Sequence, residues 1–455
     1  MNSSLDDTHD PARRSFVETA NRPDADFPIQ NLPIGVFSTS ADTLPRIGVA
    51  IGDRVFDLKK VSEMDGRFAP PVQNALQESS LNVLFGLGRT AMRDLRRRVA
   101  DLLDERGSTN EVRRSGEDLL TPMEECSFHL PTRVSNYTDF YAGIYHARAA
   151  GALLTPENPL PENYKWVPIA YHGRASSVQV GQGGVRRPLG QRPPAASGAP
   201  PSFGPCERLD FELEMGFYLA GGNSLGRPIP ISEASQEIVG FSLLNDWSAR
   251  DLQRWEMYPL GPFLSKSFAT SVSPWVVTAD ALAPFRVPAL PRPDGDPRPL
   301  EYLFDAADQA SGGLDVRLQV LLSTAQMREK NEPAVEILTS NARHLYWTPA
   351  QMVAHHTVNG CNLQPGDLIG TGTISGPSPA ELSSMLEFTT GGLKPVVLPN
   401  GERRAFLQDG DEVSFRGRCR RTGYVAIGFG TCTGRIEAAD IAGVAKRLDA
   451  DATAS

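Results

Sequence analysis

No stretch of about 18 apolar residues occurs anywhere in the 455-residue chain, so no segment is expected to cross a membrane as a helix. Positive charge is in deficit: 45 Lys and Arg stand against 54 Asp and Glu, for a net charge of −9, which points away from a nucleic-acid partner. The one dense basic run, Arg96-Arg97-Arg98, falls in a helix-like segment and reads as a solvated face. Cysteine is scarce and odd in number (126, 206, 361, 419 and 432) and never spaced as Cys-x-x-Cys, which argues against a disulfide framework or a structural zinc site. The first residues, Met1-Asn-Ser-Ser-Leu-Asp-Asp-Thr-His-Asp-Pro11, lack the apolar core of a signal peptide. A cytoplasmic protein is expected.

What is present describes an ordinary globular chain, 40% hydrophobic and 22% charged. Residues 1–24 read as a polar lead-in, mobile at its tip, with order beginning near Asp26. Arg46–Leu58 reads as two short strands joined at Gly52-Asp53, a hairpin signal. Ala91, Leu95, Val99, Leu102 and Leu103 have helical spacing over Leu87–Leu103. This first part, to residue 131, is expected to be a small, separate β-rich domain without catalytic residues. From residue 132 to 455, short strand-like runs broken by Gly- and Pro-rich turns predict a larger, mainly β domain with few helices. Leu314–Leu322 is a strong strand candidate, whereas Arg187–Pro205 and Val287–Pro299 are Pro-rich and read as loops.

Leu209-Asp-Phe-Glu-Leu-Glu-Met-Gly-Phe-Tyr218 alternates apolar with acidic residues. In a strand this puts Glu212 and Glu214 on one face, where a hard divalent cation would offset their repulsion; a solvated acidic face is the simpler reading. Three further stretches are rich in functional side chains. They are Asn136–His146, with Asp139, Tyr141 and His146; Asn245–Thr270, with Asp246, Arg250, Gln253 and Lys266; and Gly370-Thr-Gly-Thr-Ile-Ser-Gly376, with Glu387 downstream. Each also has a bland reading: Asp139 as a cap, Asp246, Arg250 and Gln253 as one helix face, and the glycine-rich turn as a phosphate cradle lacking its lysine.

Taken together, Tyr137-Thr-Asp-Phe-Tyr141, Tyr171-His-Gly-Arg-Ala-Ser-Ser177, Asp210-Phe-Glu-Leu-Glu214, Asn245-Asp-Trp-Ser-Ala-Arg-Asp251, Pro259-Leu-Gly-Pro-Phe-Leu264 and Gly372-Thr-Ile-Ser-Gly-Pro377 resemble, in order, the motifs of the fumarylacetoacetase family. Asp26–Pro33 and Arg46–Gly52 are similar to its N-terminal part. The resemblance implies a mainly β protein with some α: a small SH3-like β-barrel over 25–131 and a mixed β-roll catalytic domain over 132–455, paired as a homodimer. It implies metal-dependent hydrolysis of the carbon–carbon bond of 4-fumarylacetoacetate, a small-molecule diketo acid, to fumarate and acetoacetate, the last step of tyrosine and phenylalanine degradation. A related acylpyruvate hydrolase, or a keto-acid decarboxylase or isomerase, is the alternative on the same scaffold.

By the same resemblance Asp139, Glu212, Glu214 and Asp246 hold calcium or magnesium, and Lys266 and Thr270 lie at a second, magnesium site. There the lysine would offer its backbone carbonyl, since an ammonium cannot ligate a cation. His146 is the implied general base and Glu387 fixes its tautomer; Arg250, Gln253 and Lys266 serve the developing oxyanion and carbanion; Tyr141, Gln253 and Thr373 touch substrate. The implied chemistry is serine-free. Two positions depart from the pattern: Thr155 stands where the family has a carboxylate-gripping arginine, with Arg148 nearby, and Met257 stands where it has a tyrosine, with Tyr258 next.

Overall fold

The computed structural model describes residues 5–443 apart from 65, 108–111 and 113–114. The expected hairpin forms. Strand β1 (Ile34–Thr39) pairs antiparallel with β2 (Arg46–Ile51), and β2 turns through Gly52-Asp53 into β3 (Arg54–Asp57). Gly52 sits at φ 58°, and a Cβ there would meet Thr19 Oγ1 at 2.2 Å, so the turn requires glycine. Helix α1 (Gly88–Leu103) follows, burying Met92, Leu95, Val99, Leu102 and Leu103. Strands β4 (Leu120–Pro122) and β5 (Cys126–His129) complete a five-stranded sheet in the order β4-β3-β2-β1-β5.

Two expectations for this part are corrected. Arg96 is not on a solvated face: it is buried, donating to Thr8 Oγ1 and to Gln30 O. Thr8 belongs to the lead-in, which is packed rather than loose, with Thr8, His9, Ser15, Val17 and Ala20 all buried; the tip, residues 1–4, lies outside the described residues. Val36, Ile47 and Val49 share one apolar cluster with Tyr218, Val239, Leu244 and Val276 of the following part, and Ile34 bridges Val276 directly. A chain whose two halves bury their apolar faces against each other has a continuous core there.

Beyond residue 132 the strands, in chain order, are β6 (Tyr137–Phe140), β7 (Ala170–Gly173), β8 (Val178–Val180), β9 (Gln182–Arg186), β10 (Leu213–Leu219), β11 (Ile238–Asp246), β12 (Thr270–Val272), β13 (Arg317–Ser323), β14 (Val335–Asn341), β15 (Leu368–Gly370), β16 (Glu412–Cys419) and β17 (Ile427–Glu437). Helices α2 (Ile144–Leu154), α3 (Arg250–Glu256), α4 (Pro349–Thr357) and α5 (Met385–Phe388) accompany them. One mixed sheet runs β7-β6-β15-β10-β11-β12-β8 and a second runs β14-β13-β16-β17-β9. A single core joins the two: Phe211 meets Phe415 edge-on with ring centroids 5.8 Å apart, and Trp247 is fully buried with its ring nitrogen donating to Ser271 Oγ at 2.9 Å. Truncating a side chain of this kind to alanine costs about 3–5 kcal/mol.

The strand expected over Leu314–Leu322 is β13, displaced a few residues, with Leu318, Val320 and Leu322 inward. Arg187–Pro205 is less of a loop than its prolines suggest, because Leu189–Arg192 and Ser202–Pro205 pair antiparallel and leave Pro193, Pro194, Pro200 and Pro201 to the turn between them. Residues 444–455, the end of the expected second domain, lie outside the described residues.

Candidate active site

The acidic stretch is a strand with a break in it. Leu209–Asp210 pairs with Ser248–Ala249, the ladder lapses at Phe211, Glu212 forms a lone bridge to Ser384, and β10 resumes at Leu213. The apolar residues behave as alternation predicts: Phe211, Leu213, Met215 and Phe217 all enter the core. The acidic face, however, is not solvated. Asp210 and Glu214 are 0% exposed and Glu212 is 5% exposed.

Register brings the remaining carboxylates to the same place. Parallel pairing of β6 with β15 sets Asp139 beside Gly370, and antiparallel pairing of β10 with β15 sets Gly216 beside the same glycine. Asp246 ends β11, the other neighbour of β10. Asp246 is thus a strand residue and shares no helix face with Arg250 and Gln253. One oxygen each from Asp139, Glu212, Glu214 and Asp246 lies within 4.8 Å of the others.

Two cations and a phenol share this space. Lys266 Nζ donates to Glu212 Oε2 at 2.5 Å and to Asp246 Oδ2 at 2.8 Å, and Tyr171 donates to Asp246 Oδ2 at 2.6 Å. Arg250 Nη2 lies 2.8 Å from Glu212 Oε1. Although burial alone would raise the Glu212 pKa, Lys266, Arg250 and His146 outweigh it and hold the carboxyl well below the usual range. Glu214 goes the other way, pushed well up by burial and then by Asp139, Glu212 and Asp246; burial and Asp246 do the same to Asp139.

These residues fit a hard divalent cation. Asp139, Glu214 and Asp246, all with pKa values raised by burial, lack sufficient positive charge, which such an ion supplies. Glu214 Oε1 is buried without a hydrogen-bond partner, and Gly370 leaves a hollow: a Cβ there would come within 2.5 Å of Asp139 Oδ1 and 3.2 Å of Glu214 Oε2. An all-carboxylate donor set suits calcium, magnesium or manganese and not a soft metal. The glycine-rich turn serves the same cluster and is no phosphate cradle. Gly372, at φ 76°, donates its N–H to Glu214 Oε2 at 3.0 Å and to Asp139 Oδ1 at 3.2 Å.

His146, buried on α2, lies beside the cluster. Its Nδ1 is 2.8 Å from Glu387 Oε2, and its Nε2 is 3.9 Å from Glu212 Oε1. Glu387 also accepts from Ser375 at 2.8 Å and Ser384 at 2.7 Å. Burial raises its pKa, but His146 and these hydroxyls prevail and leave it lowered. An ionised Glu387 accepts the Nδ1 proton and so leaves the Nε2 lone pair facing the cluster. Tyr141 stands edge-on to the imidazole, ring centroids 5.5 Å apart.

The other expected residues divide. Gln253 accepts from Arg250 Nη1 at 3.1 Å, and Thr373 Oγ1 is buried without a partner beside the glycine turn. Thr270 reaches Asp246 Oδ1 at 3.4 Å, whereas the Lys266 ammonium is committed to Glu212 and Asp246. Thr155 caps α2, its hydroxyl on Gly151 O at 3.3 Å, and Arg148 is exposed. Met257 ends α3, and Tyr258 is 92% exposed.

Sequence reasoning missed Asp210, which accepts from Arg250 Nε at 2.9 Å and from the backbone N–H groups of Met385 at 2.7 Å and Leu386 at 2.9 Å. It thereby ties Arg250 to the short helix α5 that carries Glu387. Tyr171 was missed as well; its pairing opposite Asp139 follows from the β6–β7 ladder, which spacing alone does not reveal. Contrary to the serine-free reading, Gly222-Asn-Ser-Leu-Gly226 does have Gly-x-Ser-x-Gly spacing. Ser224 lies in an exposed turn, however, where the Asn223 side chain donates to Arg227 O and Cys361 O, so no nucleophile elbow is formed.

Comparison with known proteins agrees over most of the chain. The family described as fumarylacetoacetase N-terminal matches residues 30–131, and that described as fumarylacetoacetate (FAA) hydrolase C-terminal matches residues 135–437. The fumarylacetoacetase of Homo sapiens is 47% identical over 435 residues, covering 93% of this chain and 98% of its own. That of Arabidopsis thaliana is 45% identical over 432 residues, with the same two coverages. Among solved structures, the fumarylacetoacetate hydrolase from psychrophilic Exiguobacterium antarcticum aligns over 90% of this chain and 99% of its own, at 16% identity and a TM-score of 0.47. Matched over residues 30–131 and 135–437 by the two family descriptions, and over 93% of its length by relatives well above 30% identity, this chain belongs to the fumarylacetoacetase family.

Proposed function

We propose that this chain hydrolyses 4-fumarylacetoacetate to fumarate and acetoacetate, the closing step of tyrosine and phenylalanine degradation. The observation that carries the reading is the His146–Glu387 pair set against four converging carboxylates, in a chain 42–47% identical to fumarylacetoacetases. Asp139, Glu212, Glu214 and Asp246 would hold calcium or magnesium. When bound, the ion supplies a Lewis acid for the diketone oxygens. Lys266 and Thr270 would belong to a second, magnesium site only through oxygen donors, the lysine through its carbonyl.

His146 Nε2 takes a proton from water as the oxygen attacks the substrate carbonyl, and Glu387 keeps the proton on Nδ1. Arg250, backed by Asp210 and Gln253, and Lys266 present positive charge to the oxyanion. The carbon–carbon bond then breaks, its electron pair leaves on the acetoacetate carbon as an enolate, and the proton on His146 returns to that carbon. Tyr141 and Thr373 line the substrate's side of the imidazole. Residues 25–131 would form an SH3-like barrel, residues 132–455 the β-roll, and the chain a cytoplasmic homodimer. Nothing in the site favours acylpyruvate hydrolysis, decarboxylation or isomerisation over this reading.

The test is direct. Purified chain with a divalent metal should consume fumarylacetoacetate and release fumarate one for one. Chelation and His146→Ala should each abolish turnover. Intact substrate in the presence of metal sinks the proposal.

A further inference from the structure

We infer that a cavity of about 570 Å³, lying between α1 and the second part of the chain, is a binding site for a small organic carboxylate. It is separate from the site described above: none of the four clustered carboxylates, nor His146, lines it. Its size is that of a metabolite pocket, which typically spans about 300–1,000 Å³.

Three arginines from three different segments open onto it: Arg89 on α1, Arg286, and Arg421. Arg89 is 7% exposed, and its Nε is buried without a hydrogen-bond partner; Nη1 donates to Ser235 O at 3.0 Å and Nη2 to Asp280 Oδ1 at 3.1 Å. That aspartate is already shared with Arg93, 2.9 Å away. Arg286 is half-buried, and among the described residues its guanidinium makes one long hydrogen bond, 3.5 Å to Gly312 O. Burial, with Arg89's charge adding to it, brings the Arg286 pKa down to about 10. Arg421 is exposed and donates to Pro284 O at 2.6 Å.

The two carboxylates on the wall are occupied. Asp305 caps its helix, accepting from the Asp308 N–H at 2.9 Å, and Asp308 receives the Thr348 hydroxyl at 2.9–3.0 Å. A forked guanidinium short of acceptors is met best by a carboxylate, bidentately. The amino end of α4, at Pro349 and Ala350, opens on the same space and favours negative charge. Ile231 and Ile238 give the rest of the wall an apolar surface. The combination selects an organic acid over a bare inorganic anion.

The test is a calorimetric titration of succinate, propionate and inorganic phosphate into the full-length, metal-loaded chain, and into Arg286→Gln and Arg421→Gln. Succinate should bind saturably, phosphate more weakly, and each variant should lose on the order of tenfold or more in succinate affinity, the loss of one charged hydrogen-bond pair. Turnover without succinate should stay at the wild-type level in both variants. Arg421 lies at the surface, so its variant reports even if Arg286→Gln folds poorly. No binding, binding equal in wild type and both variants, or phosphate binding as tightly as succinate would each overturn the inference.

Discussion

Replacing Gly370 by alanine should empty the cation site while leaving the fold in place. Gly370 is not at a left-handed backbone angle, so alanine brings no conformational strain of its own. The added Cβ would lie 2.5 Å from Asp139 Oδ1, about 0.9 Å inside the 3.4 Å at which ordinary contact begins, and 3.2 Å from Glu214 Oε2. The backbone of β15 is held on both sides by β6 and β10, so the Asp139 side chain must give way. A metal–oxygen distance tolerates a shift of about 0.2 Å, and calcium's own range spans about 0.3 Å. A ligand displaced by several times that amount is lost or badly placed. By comparison with perturbed ligand shells, affinity for a divalent cation should fall about 10–100-fold, or about 1.4–2.7 kcal/mol. Calorimetric titration of metal into the chelator-stripped variant measures it directly, and turnover should recover in excess metal to the extent that the ion returns. Wild-type metal affinity in Gly370→Ala, with its melting temperature unchanged, would refute the assignment of Asp139 and Glu214 to one ion.

Three other outcomes are expected. Glu387→Gln should keep metal affinity but lower kcat by about 10²–10⁴-fold, because an amide no longer holds the Nδ1 proton in place; a steady-state assay beside a metal titration separates the two effects. Lys266→Met, in chelator, should lose about 3–5 kcal/mol in denaturant unfolding, since it leaves Asp246 buried without its cation and Glu212 with Arg250 alone, and added divalent metal should restore part of that loss. Asp308, raised to about 6 chiefly by burial, stabilises the fold when protonated; that contribution is complete below its unfolded value of 3.8 and lost as pH rises through 6. Asp308→Asn should therefore gain in melting temperature relative to wild type between pH 4 and pH 7, and a constant difference across that range contradicts the assignment.

What could be read from the sequence was local. The two-residue period of Phe211, Leu213, Met215 and Phe217 predicted which side chains enter the core, and Gly52-Asp53 predicted a turn that forms as expected. Family motifs named Asp139, Asp246, His146 and Glu387 without saying how they meet. That depends on long-range pairing, such as the bridge from Glu212 to Ser384 and the three acceptor contacts of Asp210, which have no signature in residue spacing. The burial of Arg96 was equally invisible, because its partners, Thr8 and Gln30, lie 88 and 66 residues away.

The pairing of β6 with β15 also sets an order of events during synthesis. Asp139 is bound to the Gly372 backbone across 233 residues, and until that second segment emerges one of the two strands flanking β6 is missing. At about 5–20 residues per second, a ribosome spends tens of seconds or less between the two, with the acidic residues already made but unable to converge. Closing so long a loop is entropically slow and must precede any contact it rewards. Cation affinity is therefore a late acquisition of the nascent chain, and metal capture reports that both ends of the catalytic sheet have joined.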